Sequence, residues 1–450
     1  MTRSQTAGAI AARIERLPFS RWHMKARLLI GAATFFDAFD VLAIAQVLPS
    51  LIPAWGLTPA QAGFIIAIGY AGQLCGALFF GWLAGRIGRL KTLAIGITIF
   101  STVSALCGFA WDYHSLLVGR AVEGFGLGAQ VPVAAVYFSE VVKAEGRGRF
   151  ILLYECIFTV GLVLSGLIGS VVVPGLGWRA MFFIGALPIL LAPAILAALP
   201  ESPRWLASRG RDDEALAAIE RIEREVEAAT GRPLPPVGSA PPVTLARASW
   251  RDILGPSYLR RTLVVWLIWF ASFLVTYGLS TWLPSIYRTV FDVPLRTALQ
   301  LATVGTVLQL GGSLSCALVI DRIGRRRLFV LSFAGAALSL TTLGLLGAKS
   351  LTEVVVLGGF ASFFAGSAAI GAYAYTPEIY PTRSRALGTS VGTSWLRLAS
   401  MVGPLVVATF IGSGVATVFL VFAVPSFIAS GIVALFGTET SGRALEELST

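Results

Sequence analysis

Six ionisable residues lie in stretches too apolar to hold them without a purpose. Asp37 and Asp40 fall in "ATFFDAFDVLAIAQVLP" (33–49), Arg120 and Glu123 in "GRAVEGFGLGAQ" (119–130), Glu155 in "LLYECIFTVG" (152–161), and Arg397 in "GTSWLRLASMVG" (392–403). An ionised side chain at the centre of a bilayer costs about 2.5–3.5 kcal/mol even on insertion scales, so such residues mark ion pairs, proton sites or ligand contacts. On a helix, the three-residue spacings of Asp37 with Asp40 and of Arg120 with Glu123 put each pair on one face. Gly124, Gly126 and Gly128 let a neighbouring helix come close beside the second pair. The planar fork of Arg397, roughly 12 Å into its segment, suits a carboxylate. Glu155 and Asp37 suit a cation or the ring nitrogen of a pyridine, and a ligand with a carboxylate and a ring nitrogen would use both signs.

The elements that must hold these charges are transmembrane helices. Of 450 residues, 56% are hydrophobic and only 13% charged, and the mean hydropathy is +0.77; a soluble domain carries roughly 25% charge. Twelve segments reach the roughly 20 apolar residues that a spanning helix needs, near 28–52, 61–83, 92–111, 115–138, 150–173, 180–199, 262–285, 297–320, 328–347, 354–376, 389–412 and 415–436. With the N-terminus inside, 29 of the 35 Lys and Arg fall on cytoplasmic segments and four on outer loops. The positive-inside rule therefore predicts cytoplasmic termini, and the isoelectric point near 9.9 reflects topology instead of nucleic-acid binding. The first apolar run is too long for the core of a cleavable signal, so none is expected.

Other chemistries find little support. Cys75, Cys107, Cys156 and Cys316 sit in apolar stretches as small packing residues. His23 and His114 fall at membrane edges, leaving no histidine for a nucleophile or metal inside. There is no phosphate-binding Gly-x-x-x-x-Gly-Lys-Ser/Thr loop. No enzyme activity, cofactor or metal is expected.

The chain repeats itself across six spans. "GWLAGRIGRLK" (81–91) matches "ALVIDRIGRRRL" (317–328), "SEVVKAEGRGR" (139–149) matches "PEIYPTRSRA" (377–386), and "PESPRW" (200–205) matches "TETSGRALEE" (438–447). The expected organisation is an N-terminal arm (1–27), a six-helix bundle (28–199), a linker with short helices (200–261), a second six-helix bundle (262–436) and a tail (437–450). Paired halves of this kind suit alternating access around a midplane site.

These loop segments resemble those of the major facilitator superfamily, in the branch holding sugar porters, organic-ion transporters and the synaptic vesicle glycoprotein 2 group. The opening "ERLPFSRWHMKARLLIGAATFFDAFDVL" (15–42) resembles bacterial niacin (nicotinate) transporters of that branch more than any sugar porter. The resemblance implies an all-α membrane protein of twelve helices in two pseudo-symmetric bundles. It also implies a cytoplasmic gate: Arg86, Arg89, Glu140, Arg147, Glu201 and Arg204 in the first half, and Asp321, Arg322, Glu378, Arg383, Arg385 and Glu439 in the second. Gly85 stands where the family has an aspartate, which weakens the first-half latch.

By the same resemblance, Asp40 is the proton-linked aspartate, paired with Arg120 and with Glu123 as a second partner; a purely structural ion pair is the alternative. Glu155, preceded by Tyr154, takes the place of a sugar-reading glutamine. Tyr277 and Trp282 replace sugar-binding residues of span 7, and Tyr373 replaces the span-10 tryptophan. Such a wall offers aromatic faces where a sugar needs amides, so it suits a flat ring; Trp266 and Trp269 read as membrane filler. With Asp37 and Arg397, these residues make a binding site for a small aromatic carboxylate, nicotinate first, imported with protons by a plasma-membrane carrier expected to be monomeric. The other possibilities are a carrier of another organic ion, a sugar porter or a non-transporting receptor.

Overall fold

The computed structural model describes residues 3–143, 145, 147–238, 249–380 and 384–441; Arg383 and the side chains of Glu155 and Cys156 lie outside the described residues. Every regular element described is a helix. They run α1 (Arg3–Glu15), α2 (Arg21–Trp55), α3 (Pro59–Ile87), α4 (Arg89–Gly108), α5 (Tyr113–Leu127), α6 (Gln130–Val141), α7 (Arg147–Leu176), α8 (Arg179–Gly185) and α9 (Leu191–Ala198). After α10 (Pro203–Ser208), α11 (Asp212–Thr230) and α12 (Trp250–Leu254) come α13 (Pro256–Thr289), α14 (Leu295–Ile323), α15 (Arg325–Leu345), α16 (Leu351–Ile379), α17 (Arg385–Phe410) and α18 (Val415–Phe436). Twelve stretches are long and apolar enough to cross a membrane, with α5 and α6 forming one and α8 and α9 another. They fall in two sets of six.

Local chemistry explains where the helices start and turn. Thr58 caps α3 by accepting from the backbone N–H of Gln61, and Asp112 caps α5 by accepting from that of Ser115. The matching loops of the two halves turn at Gly88 and Gly324, with φ of 108° and 86°. A side chain would strain that backbone, so the internal repeat keeps glycine at both.

A seam of small residues joins α3 to α5 and sets the position of the buried charges. Gly124 lies against the backbone of Gly69, Gly72 against Ala121 and Gly76 against Phe125. With the two backbones this close, the guanidinium of Arg120 fits over Gly69, 3.2 Å from where a Cβ would stand. The second half repeats the device, with Gly312 against Phe363 and Gly366 against Gln309.

The halves meet mainly away from the face that carries both termini. Gly63, one turn into α3, lies against Pro404 and Ala408 near the far end of α17, and Gly166 of α7 packs on Thr303 of α14. The ring of Tyr70 also touches that of Tyr277 across the halves, with centroids 5.3 Å apart.

The segment read as an N-terminal arm is a docked helix. Ile10, Ile14 and Leu17 share a buried cluster with Ile219, Ile222 and Val226 of α11. Glu223 accepts from both Arg13 and Arg16, and Glu15 pairs with Arg147 and Arg204 at 3.6 and 3.4 Å. The N-terminus and the linker thus form one cap under the first half.

Candidate functional site

A buried charged triad lies wholly inside the first half. Arg120 is 3% exposed, Asp40 1% and Glu123 0%. Nη1 of Arg120 donates to Oδ2 of Asp40 at 3.0 Å and to Oε2 of Glu123 at 2.6 Å. The thiol of Cys107 donates to the same Glu123 oxygen at 3.6 Å. Two carboxylates therefore share one cation, and the cluster carries one negative charge in excess when every group is ionised. Neutralising that charge takes a single proton, which is the chemistry of a proton-binding site.

A second polar group spans the two halves. Asp37, one turn before Asp40, accepts from the amide nitrogen of Gln73 at 3.3 Å. Arg397 of α17 is partly exposed and lies within electrostatic reach of Asp37, Tyr373 and Tyr277. The wall beside it is an aromatic run on α13. Trp269 stacks on Phe273 at 5.5 Å and Phe273 on Tyr277 at 6.0 Å, with planes 11° and 23° apart. Tyr373 meets the edge of Trp269 at 4.7 Å, and the indole of Trp269 donates to Thr376 at 2.9 Å.

Of the sequence-predicted ligand residues, Asp37, Tyr277, Tyr373 and Arg397 come together. Trp282 is buried on the same helix, and its indole N–H has no partner among the described residues. Tyr154 stands elsewhere: its ring packs on Phe138 at 4.9 Å and its hydroxyl bonds Thr34, so it belongs to the packing of the first half. Trp269, read as filler, is completely buried in the aromatic run instead. The four-residue spacing of Trp269, Phe273 and Tyr277 was the signal that would have found it, since it puts all three on one face. Tyr70 and Gln73 carried no such signal; only the α3–α5 seam brings them to the charges.

At the face carrying the termini, each half closes its own charge network. Arg89 donates to Glu140 at 2.7 and 3.0 Å, while Glu201 accepts from the backbone N–H groups of Arg89 and Leu90. Arg325 repeats this with Glu378 at 2.9 and 3.1 Å, and Glu439 accepts from the N–H groups of Arg325 and Arg326. Among the described residues no ion pair joins the halves, so the gate charges are parted across them here. In the aligned loops Arg322 corresponds to Arg86 and Arg325 to Arg89; Arg325, absent from the gate predicted from the sequence, also pairs with Asp321 at 2.7 Å. Where the first half has Gly85, its carbonyl accepts from the Trp205 indole at 3.0 Å. Arg86 lies over the ring of Trp82, Arg147 donates to the carbonyl of Val142, and Arg385 is half-buried.

The two network acids differ in their electrostatics. Burial pushes the Glu201 carboxyl above its ordinary value, against the pull of its backbone donors. Burial also acts on Glu439, but four backbone N–H groups outweigh it and hold that carboxyl below its ordinary value.

Comparison with known proteins agrees with this architecture. The family model described as "Sugar (and other) transporter" matches residues 28–450. The chain is 34% identical over 443 residues to the niacin transporter NiaP of Acinetobacter baylyi, covering 98% of this chain and 99% of the relative. It is 31% identical to a putative niacin/nicotinamide transporter NiaP of Bacillus subtilis, covering 93% and 98%. A solved D-xylose–proton symporter superposes with a TM-score of 0.75 at 18% identity, covering 94% of this chain and 100% of that one, which shows the shared fold. The protein is therefore a member of the sugar (and other) transporter family, a multi-pass transporter of the major facilitator superfamily and not an enzyme.

Proposed function

We propose that this transporter imports a small aromatic carboxylate, nicotinate first, together with a proton, by alternating access. The observation that carries the reading is the aromatic stack Trp269–Phe273–Tyr277 on α13, with Arg397 of the second half and Asp37 of the first within electrostatic reach of each other and of Tyr277. The guanidinium takes the carboxylate, the aromatic wall takes the flat ring, and Asp37 answers a protonated ring nitrogen. The Asp40–Arg120–Glu123 triad takes the proton: protonating Asp40 weakens its hold on Arg120 and changes how α2 and α5 pack. The likeness to niacin transporters over almost the whole chain supports this ligand class.

The 29-to-four distribution of Lys and Arg supports a plasma-membrane carrier with both termini and the α1–α11 cap in the cytoplasm. The moving units are 28–199 and 262–436. In this conformation they meet on the outer side and part on the cytoplasmic side, where the gate charges would lock when the inside closes.

The test is uptake of labelled nicotinate by proteoliposomes with and without an inward proton gradient, with a thermal-shift comparison of nicotinate, nicotinamide, benzoates and quaternary amines. Accumulation only under the gradient and stabilisation by nicotinate support the reading. Stabilisation by nicotinamide alone overturns the carboxylate assignment. Stabilisation by quaternary amines alone establishes the second reading, an organic-cation carrier, which Asp37 favours.

A further inference from the structure

We propose that the pocket between α2, α3 and α5 binds an ordered water that links the ligand-facing Asp37 to the Arg120 triad. This inference rests on the proton-coupled reading above and names the parts that couple ligand to proton. The pocket is lined by Tyr70, Gln73 and Arg120, with Gly69, Val41 and Ile44 closing it, and it has room for about one water molecule. Two of its polar groups are buried without a hydrogen-bond partner among the described residues: the Tyr70 hydroxyl and Nε of Arg120.

The donor and acceptor pattern fixes how a water sits there. The Nε–H of Arg120 can only donate, so the water accepts from it. The amide nitrogen of Gln73 already donates to Asp37, which turns its carbonyl oxygen into the acceptor for a water proton. The Tyr70 hydroxyl completes the shell, giving the water the two to four partners that a buried water typically has. The chain of donors then runs from Arg120 through the water to Gln73 and on to Asp37, while Nη1 of Arg120 holds Asp40 and Glu123.

A change of charge at Asp37 polarises this chain and alters how firmly Arg120 holds Asp40, with no contact between ligand and triad. Tyr70 adds a mechanical input, because its ring rests on Tyr277 of the other half and moves when the halves rock. Tyr70 and Gln73 are positioning residues. The titratable and charged groups around Tyr70 and Gln73 are Asp37 and Asp40 on α2, Arg120 on α5 and, across the interface, Tyr277 on α13; behind them Glu123 on α5 and Cys107 on α4 lie beside Arg120, and Arg397 on α17 is within electrostatic reach of Asp37.

The experiment measures nicotinate affinity of the purified protein at pH 6 and pH 8 in the wild type and in Tyr70→Phe, Gln73→Leu and Gln73→Asn. Each variant supplies its own ratio, so a general loss of affinity does not mask the result. One linked proton gives the wild type a ratio of up to about tenfold per pH unit. Loss of the water link brings the ratio to within about threefold over the two units in Tyr70→Phe and Gln73→Leu. Gln73→Asn keeps the amide but draws it back, and it covers the case in which the leucine variant does not fold. Wild-type ratios in all folded variants overturn this inference alone, as does a density map resolving waters with none in reach of Nε of Arg120. A wild-type ratio of one overturns the proton reading, and this inference with it.

Discussion

Asp40→Asn tests the triad with a magnitude the geometry supplies. Removing one partner of a buried ion pair usually costs about 3–5 kcal/mol, because the other charge is left without compensation. Arg120 keeps Glu123 at 2.6 Å, so the guanidinium remains neutralised in the variant. An asparagine side chain still offers an oxygen to the Nη1 that lies 3.0 Å from Asp40. The folding cost therefore falls to roughly 1 kcal/mol, that of a charge-assisted hydrogen bond reduced to a neutral one. The transport cost is of another kind. A gradient of one pH unit holds about 1.36 kcal/mol per proton, enough for a 1:1 symporter to concentrate ligand about tenfold. Asp40→Asn proteoliposomes are expected to equilibrate ligand and stop near a ratio of one, while exchange of internal for external ligand continues. Full tenfold accumulation by a folded Asp40→Asn variant would refute the assignment of the proton to this residue.

Three further outcomes follow from the geometry. Arg397→Ala is expected to weaken nicotinate binding about 10- to 150-fold by calorimetry, the equivalent of a hydrogen bond to a charged group at roughly 1.5–3 kcal/mol, with partial recovery in Arg397→Lys; unchanged affinity removes Arg397 from the site. Asp37→Asn is expected to lower the preference for nicotinate over benzoate, measured as a ratio of competition constants, because only nicotinate has a ring nitrogen to meet the acid. Glu439 and Glu201 give opposite signs in a pH series of melting temperatures. Glu439, depressed in the folded protein, stabilises above its ordinary value of 4.5 and loses this as pH falls, so Glu439→Gln lowers the melting temperature at pH 7.5 and the deficit shrinks in acid. Glu201, raised in the folded protein, stabilises below 4.5 and loses this as pH rises, so Glu201→Gln leaves the melting temperature at pH 7.5 unchanged or higher.

The spans were legible in the sequence because a bilayer leaves the chain one affordable way to satisfy its backbone. The Asp40–Arg120–Glu123 triad was legible for a related reason: charges buried there must find each other. The charges at the helix ends obey no such rule, since water is an alternative partner for every one of them. Arg89 was therefore legible as a charge of the gate but its partner was not, and Arg325, which pairs with Glu378 as Arg89 does with Glu140, was passed over for Arg322. Tyr154 and Trp269 failed in opposite directions. Both sit on helices apolar on all faces, where periodicity no longer separates a wall residue from a packing residue. The docking of α1 on α11 was hidden as well, because its apolar positions Ile10 and Ile14, and Leu17 just after it, lie within a short, basic segment that reads as solvated.

The two charged groups divide the work by where they stand. Asp40, Arg120 and Glu123 all belong to one half, so a rigid rocking of the halves does not by itself separate them. Asp37 and Arg397 belong to different halves, so the same motion changes their separation and a ligand held by both resists it. A carrier with only the first group would bind protons without moving, and one with only the second would move ligand without a proton. Coupling needs a connection between the groups. Asp37 and Asp40 share α2 one turn apart, and Gln73 and Tyr70 reach from α3 toward Asp37 and Tyr277. Helix α2 is thus the element common to both events, and it is fixed to the first half through the packing of Gly161 on Phe35 and of Gly169 on Gln46. On the proposed reading, a proton taken up by the triad would therefore act on the same helix that carries Asp37.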